Sequence, residues 1–261
     1  MPSVLSAGYE RWKSHPRRYD ILFLLGSPLR RRRNRRHAEK QRRQLLVPPI
    51  DTSNVEILTD PAFQASCAAA RGNTLLDVAR LANLWYLARL AGEGMYLEVG
   101  SYRGGGALHI CNAVQHRRPV FYCFDPFEEG GFETIRSEDE LFQKDQFTDT
   151  SYKAVVRLLA AHPNATAVKG FFPAAAQKVD LRDIAFCHLD VDVYEATRDG
   201  LEFLASRLAP RSLIVLDDMN RNVKGVQQAV EEFLRAHPAF VLLPMFPSQG
   251  VLLSTELWSA R

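Results

Sequence analysis

Paired cysteines, long apolar runs and the dinucleotide glycine pattern are all missing from these 261 residues, and each absence removes a class of protein. The four cysteines, Cys67, Cys111, Cys123 and Cys187, form no C-x-x-C pair, and three lie inside apolar segments. That pattern excludes a cysteine-based zinc site and a disulfide scaffold, and it fits reduced core thiols in a cytoplasmic protein. The apolar patch Ile21 to Leu25 is far too short to cross a bilayer, and arginines follow it where a signal peptide would carry them in front. The expectation is a protein with neither a membrane span nor an export signal. No G-x-G-x-x-G occurs, so the turn that seats a pyrophosphate on a helix N-terminus is lacking and a nicotinamide dehydrogenase is disfavoured.

What is present is an ordinary globular composition, 46% hydrophobic and 24% charged, enough for one large core. The small net charge of +3 hides an asymmetry: residues 1–50 hold 13 Lys and Arg against 3 Asp and Glu, whereas the remaining 211 carry a net charge of −7. The chain divides accordingly into a basic N-terminal helical extension, 1–50, and an acidic catalytic body, 51–261, joined by the proline-bearing linker Val47 to Ser53. The arm reads either as a solvated helix or as a contact for an anionic partner, namely nucleic acid, acidic lipid or a neighbouring subunit, with Tyr9, Trp12 and Tyr19 as stacking surface. No nucleic-acid motif accompanies its arginines. Exchange of this segment between copies would make a homo-oligomer.

The body is organised around Met95 to Gly106, MYLEVGSYRGGG. An apolar run ending in a carboxylate, a glycine turn and a helical pattern over Ala107 to Val114 describe a strand that delivers its C-terminal end to a ligand. Glu98 sits at the strand tip, Gly100 makes the turn, and Gly104 to Gly106 let the next helix start close to the ligand. Asp125 ends the following apolar run, Val120 to Phe124, at the spacing where an acid accepts the ribose hydroxyls of an adenosine-containing ligand. The other reading of Asp125 is a loop cap before Pro126. Upstream, Asp60 followed by Pro61 opens a helix, and Thr74 to Leu90 predicts an amphipathic helix burying Leu75, Val78, Leu81, Leu84, Trp85 and Ala88, with Tyr86 also read as core.

Past Asp125, the segment Phe127 to Tyr152 carries two glycines, many charges and five aromatics, and reads as a lid or acceptor wall or else as an extra surface element. A helix at Ala154 to Ala161, a short strand at Thr166 to Val168 and the turn Gly170 to Pro173 follow. The turn's aromatics suit adenine, or simple burial. Two buried strands then each end in acids: IAFCHLD, closing at Asp190 with Asp192 beyond it, and SLIVLDD, closing at Asp217 and Asp218. In a β-α-β unit both ends lie at one sheet edge, so the four acids converge beside Gly100 and Asp125. Converging carboxylates repel unless a cation lies among them, and oxygen ligands without His or Cys select Mg²⁺, Ca²⁺ or Mn²⁺. The competing reading is that Asp192 and Asp218 cap the helices after them. His188, inside the strand, reads as a satisfied core histidine.

On these residues, HLDVDVYEATRDGLEFLASRLAPRSLIVLDDMN joined to YLEVGSYRGGG and the FFP turn, the chain resembles the Mg²⁺-dependent O-methyltransferases of the macrocin and noviose type, and more distantly catechol O-methyltransferase. The resemblance covers roughly Asp60 to Ser254. It implies a Rossmann-like class I α/β methyltransferase fold, a seven-stranded, mostly parallel sheet with helices on both faces. It also implies S-adenosylmethionine as cofactor, Mg²⁺ or another hard divalent cation, and a small-molecule hydroxyl acceptor, a sugar of a natural product. Carried over, Asp190, Asp217 and Asp218 ligate the metal, Asp192 is the general base, and Glu98, Gly100, Ser101, Gly104, Asp125, Gly170 and Phe172 hold the cofactor. Val193 stands where the catechol type has its lysine, which argues against that base. Acceptor specificity is expected from Phe127 to Tyr152, the N-terminal segment and the loop Phe246 to Gly250. The rival functions are a nucleic-acid methyltransferase guided by the arginine arm and a nonenzymatic adenosine-binding protein.

Overall fold

The computed structural model describes residues 56–259. The basic arm and its linker, and every expectation resting on them, lie outside the described residues.

Two short segments lead in: α1 (Glu56–Thr59) and α2 (Pro61–Ala70), the latter capped as its sequence dictates, with Asp60 Oδ1 accepting from the Ala62 and Phe63 amides. α3 (Val78–Leu90) starts later than the apolar spacing suggests. Asp77 takes the Ala79 and Arg80 amides and sets the helix start there, so Thr74 to Leu76 stay extended. Its inner face is Leu81, Leu84, Trp85 and Ala88, whereas Leu75, Val78 and Tyr86 are exposed. The buried stripe keeps the helical period but is narrower than the run of apolar residues.

Seven strands alternate with helices: β1 (Met95–Val99), α4 (Gly105–Ala113), β2 (Phe121–Asp125), α5 (Tyr152–Leu158), β3 (Ala165–Lys169), β4 (Ile184–Leu189), α6 (Tyr194–Ala205), β5 (Leu208–Leu216), α7 (Lys224–Ala236), β6 (Phe240–Met245), β7 (Gln249–Ser254), and a last turn of helix, α8 (Thr255–Ser259). The sheet order is β3-β2-β1-β4-β5-β7-β6; the first five strands run parallel and β7 runs antiparallel to both neighbours. This is the expected class I methyltransferase topology. α2, α3 and α4 pack together, and α6 packs on α7, giving two helical groups around the sheet. Parallel central strands are covered on both sides, which is why β4 is buried at all six positions and reads as an unbroken apolar run. Cys111, Cys123 and Cys187 are buried free thiols. Among the described residues, no helix is long and apolar enough to cross a membrane.

The loop Phe246 to Gly250, expected to shape acceptor choice, is instead the turn of the β6–β7 hairpin and the start of β7. Phe246 is exposed, and Gln249 turns inward beneath the strand tips.

Candidate active site

The strand tips are held in step by backbone bonds that continue past the sheet. The Gly100 amide donates to Phe124 O at 2.9 Å, Asp190 to Val99 O at 2.9 Å, Asp217 to Leu189 O at 3.1 Å, and Gly170 to Asp125 O at 3.0 Å. β1, β2, β4 and β5 thus end at one edge with the residues after them fixed relative to each other. Gly100 adopts φ +86°, and a Cβ there would fall 1.7 Å from Asp190 O, so only glycine allows the exits of β1 and β4 to lie this close.

On the cofactor side, Asp125 Oδ2 accepts the Tyr102 amide at 2.7 Å and Oδ1 accepts that of Phe127. Burial raises its carboxyl to about 6, against the pull of these two N–H donors. Glu98 is buried, with Oε1 3.0 Å from His188 Nδ1 and Oε2 facing no donor. α4 begins against it: a Cβ at Gly106 would meet Glu98 Oε1 at 2.1 Å, which is the physical reason for glycine at that position. Ser101 is buried behind the turn, and Phe172 packs on Phe124 and Phe203 at centroid distances of 5.1 and 5.0 Å.

A cavity of about 800 Å³ opens at this edge, within the range of small-molecule sites. Of the expected cofactor residues, Glu98, Gly100, Ser101, Asp125, Gly170 and Phe172 line it. Gly104 does not. It is the left-handed N-cap of α4, φ +79°, packed under Val155.

The acids divide into two sets. Asp190, Asp192 and Asp218 line the cavity, each bringing a carboxylate oxygen within 4.8 Å of the others. Burial, then mutual repulsion, pushes the carboxyls of Asp190 and Asp192 well above their ordinary value and raises Asp218. Asp192 and Asp218 both hold left-handed backbone, φ 63° and 56°. Neither caps a helix. The N-cap residues are Val193 for α6 and Val223 for α7, and neither side chain makes a capping bond. The group's three hard oxygen donors, with no resident cation of the chain among them, fit a divalent ion.

Asp217 does not line the cavity, but one of its carboxylate oxygens lies within 4.8 Å of one of Asp190's and of a His188 ring nitrogen. Oδ1 accepts from Arg80 Nη1 at 2.8 Å and from the Asp218 amide at 2.8 Å, and Oδ2 accepts from Gln249 Nε2 at 3.0 Å. Burial alone would raise its carboxyl, but His188 and Arg80 bring it down to about 2. His188 is the link between the two sides: burial lowers its pKa, yet Asp217 and Glu98 raise it to about 10. Its Nε2 lies 3.5 Å from Asp217 Oδ2, an ion-pair distance and too long for a hydrogen bond. Its ring therefore lies between two buried carboxylates. Arg80, Gln249 and Asp139 were not picked out from sequence. Arg80 and Gln249 act through partners 137 and 32 residues away, and no local pattern marks such pairings.

Phe127 to Tyr152 forms one wall, with Gly130, Phe132, Phe142 and Phe147 lining the cavity. Phe132 stands edge-to-face to Phe142 at 5.4 Å and to Phe147 at 6.0 Å. The wall is tied down by Asp139, buried, whose Oδ1 accepts the Tyr194 amide at 2.9 Å and Oδ2 the Arg136 amide at 3.0 Å. Asp139 thereby caps α6 from another part of the chain.

Comparison with known proteins agrees with this geometry. Residues 97–219 match the family model described as a methyltransferase domain. No curated protein matches the chain in sequence. Among solved structures, the O-methyltransferase NovP is similar at TM-score 0.57 and 22% identity, over 70% of this chain and 81% of that one. CalS11, a calicheamicin methyltransferase, gives TM-score 0.52 at 18% identity over 76% and 92%. The SAH-bound methyltransferase PaMTH1 of Podospora anserina gives 0.52 at 11% identity over 80% and 98%.

Proposed function

We propose that this S-adenosylmethionine-dependent methyltransferase delivers its methyl group to a hydroxyl oxygen of a small molecule bearing neighbouring hydroxyls, a sugar of a natural product, assisted by a hard divalent cation such as Mg²⁺. The observation that carries this reading is the meeting of Asp190, Asp192 and Asp218 in the cavity that Asp125 and Glu98 also line. NovP, an O-methyltransferase by description, shares the fold, which supports oxygen as the target atom.

The chemistry is direct displacement. The acceptor oxygen forms a bond to the sulfonium methyl as the carbon–sulfur bond breaks, and the hydroxyl proton must leave. Asp125, which lines the cavity, would take the ribose hydroxyls, and Glu98 Oε2, which has no donor in the protein, would take one from the amino-acid part of the cofactor. Asp190 and Asp218 are assigned as cation ligands. Asp217, expected from sequence as a third ligand, also accepts the Asp218 amide, with a carboxylate oxygen within 4.8 Å of one of Asp190's. When bound, a divalent cation lowers the pKa of a chelated hydroxyl, which is otherwise barely acidic at neutral pH. Asp192 would take the hydroxyl proton, its raised carboxyl being lowered by a cation held beside it. Walls of Phe132, Phe142 and Phe147 exclude water from the reacting atoms.

Calorimetry of S-adenosylhomocysteine with and without Mg²⁺, paired with methyl transfer to diol acceptors, tests each part. The expected result is cofactor binding in both conditions and turnover only with the cation. Full turnover in excess chelator would remove the cation from the reading, and failure to bind S-adenosylhomocysteine would remove the reading altogether.

A further inference from the structure

We infer that the acceptor arrives without phosphate or carboxylate, as a neutral or cationic diol with an apolar flank; the inference rests on the oxygen-methylation reading above. Among the described residues lining the cavity, eight side chains are acidic and one, Arg80, is basic. Arg80 is already committed. Nη1 donates to Asp217 at 2.8 Å, Nη2 to Leu75 O at 3.1 Å, and Nε lies 3.4 Å from Asp77. The other arginines near the wall are taken as well, Arg136 by Glu195 and Arg198 by Glu195 and Asp199.

Recognition of phosphate or carboxylate needs free guanidinium or ammonium groups, or a helix N-terminus with amides to spare. At the helix start beside the acid group, Asp139 accepts the Tyr194 amide and brings a further negative charge to the head of α6. The ribose, the cofactor amine and a divalent ion would answer five of the eight acids and the arginines answer Glu195 and Asp199, which leaves Glu133, exposed and without an ion-pair partner among the described residues, next to the Phe132 of the wall. Among the described residues lining the cavity, no uncommitted cationic side chain would offset the charge of a phosphorylated acceptor beside Glu133.

The uncharged part of the surface says what does fit. Phe132, Phe142 and Phe147 present ring edges and faces to the cavity. Leu75 and Leu76 add aliphatic lining on the segment before α3, with Leu75 62% exposed at the rim. A large aliphatic side chain left in solvent beside an aromatic wall suits an acceptor that brings an apolar ring or chain with it. The diol reaches the acids, and the flank lies on the rings.

The test uses the full-length chain, so that the cations of residues 1–50 are present. Isotope-labelled S-adenosylmethionine and Mg²⁺ are offered with two pools built on the same hexoses: phenyl and cyclohexyl hexopyranosides, and hexose 1-phosphates with nucleoside diphosphate hexoses. Label entering the glycosides at least tenfold faster than their phosphorylated counterparts is expected. Equal or greater labelling of the phosphorylated pool overturns the inference while leaving oxygen methylation in place. Label in neither pool, with S-adenosylhomocysteine still binding, overturns the diol-methylation reading and this inference with it.

Discussion

The two sides of the cavity are held in different ways. The cofactor side is built from backbone: strand tips joined by amide–carbonyl bonds, with Gly100 and Gly106 placed where any side chain would strike Asp190 O or Glu98. The acceptor side is a loop wall held by side chains, chiefly Asp139 on the α6 amide and Asp149 on Tyr102 and Arg103. Backbone bonding makes the first side insensitive to most side-chain changes and intolerant of a few. Side-chain pins make the second adjustable, and that is where acceptor choice can vary without disturbing the cofactor.

The acids between the two sides serve both, and the largest effect is expected there. Asp218→Ala should lower turnover on the order of 10²- to 10⁴-fold, the scale of a lost catalytic group, while thermal unfolding and S-adenosylhomocysteine affinity stay near wild type. Removing one of three mutually repelling carboxylates relieves the raised pKa values of Asp190 and Asp192. The variant therefore stays folded, and steady-state kinetics beside a melting curve checks both. Loss of the fold together with activity would mean that the acids are structural and the comparison has no centre.

Next come the two sides themselves. Gly106→Ala places a methyl group 2.1 Å from Glu98 Oε1 inside the sheet edge, so cofactor affinity should fall by tenfold or more, with acceptor KM measured at saturating cofactor little changed. Asp139→Ala should do the reverse. It leaves α6 uncapped, costing about 1 kcal/mol of stability. It also frees the wall, so acceptor KM should rise several-fold to tenfold while S-adenosylhomocysteine affinity stays within about twofold. Isothermal calorimetry separates the two, and equal effects of both variants on both ligands would erase the distinction.

Which parts could be read from the sequence follows the same division. Backbone-defined features leave local signatures: β1, β2, β4 and β5 are apolar runs closed by acids, and Asp60 with Pro61 marks the start of α2. These carried the class I fold and the gathering of Asp125, Asp190, Asp192 and Asp218 in one cavity. Features made by distant side chains leave none. Arg80 and Gln249 hold Asp217 beneath the strand tips, behind the cavity that its sequence neighbour Asp218 lines. Leu75 is apolar by type, yet the start of α3 at Asp77 leaves it ahead of the helix and in solvent, and Tyr86 falls on the outer face of α3. Phe246 fell in a hairpin turn because the antiparallel pairing of β6 with β7 is set by the sheet and not by the loop.

The smallest expected effect separates the sides by pH. Asp125 is raised from 3.8 to about 6 by burial in the protein without ligand. Ribose hydroxyls donate to the ionised carboxylate, so the ligand-bound form holds its proton less tightly. S-adenosylhomocysteine affinity should therefore be flat above about pH 7 and fall as the pH drops below 6, by at most about tenfold per unit. The folding contribution of the same group has the opposite sign. Between its unfolded value and about 6 the folded protein binds a proton that the unfolded chain does not, so Asp125 contributes stability that grows as pH falls through that window. The stabilisation that ligand adds to the melting temperature should thus shrink from pH 7 to pH 5, over a range where this residue favours the free fold. Asp125→Asn removes the pH step and lowers affinity at pH 7. Wild-type affinity that holds constant down to pH 5 would mean that the ribose does not rest on Asp125.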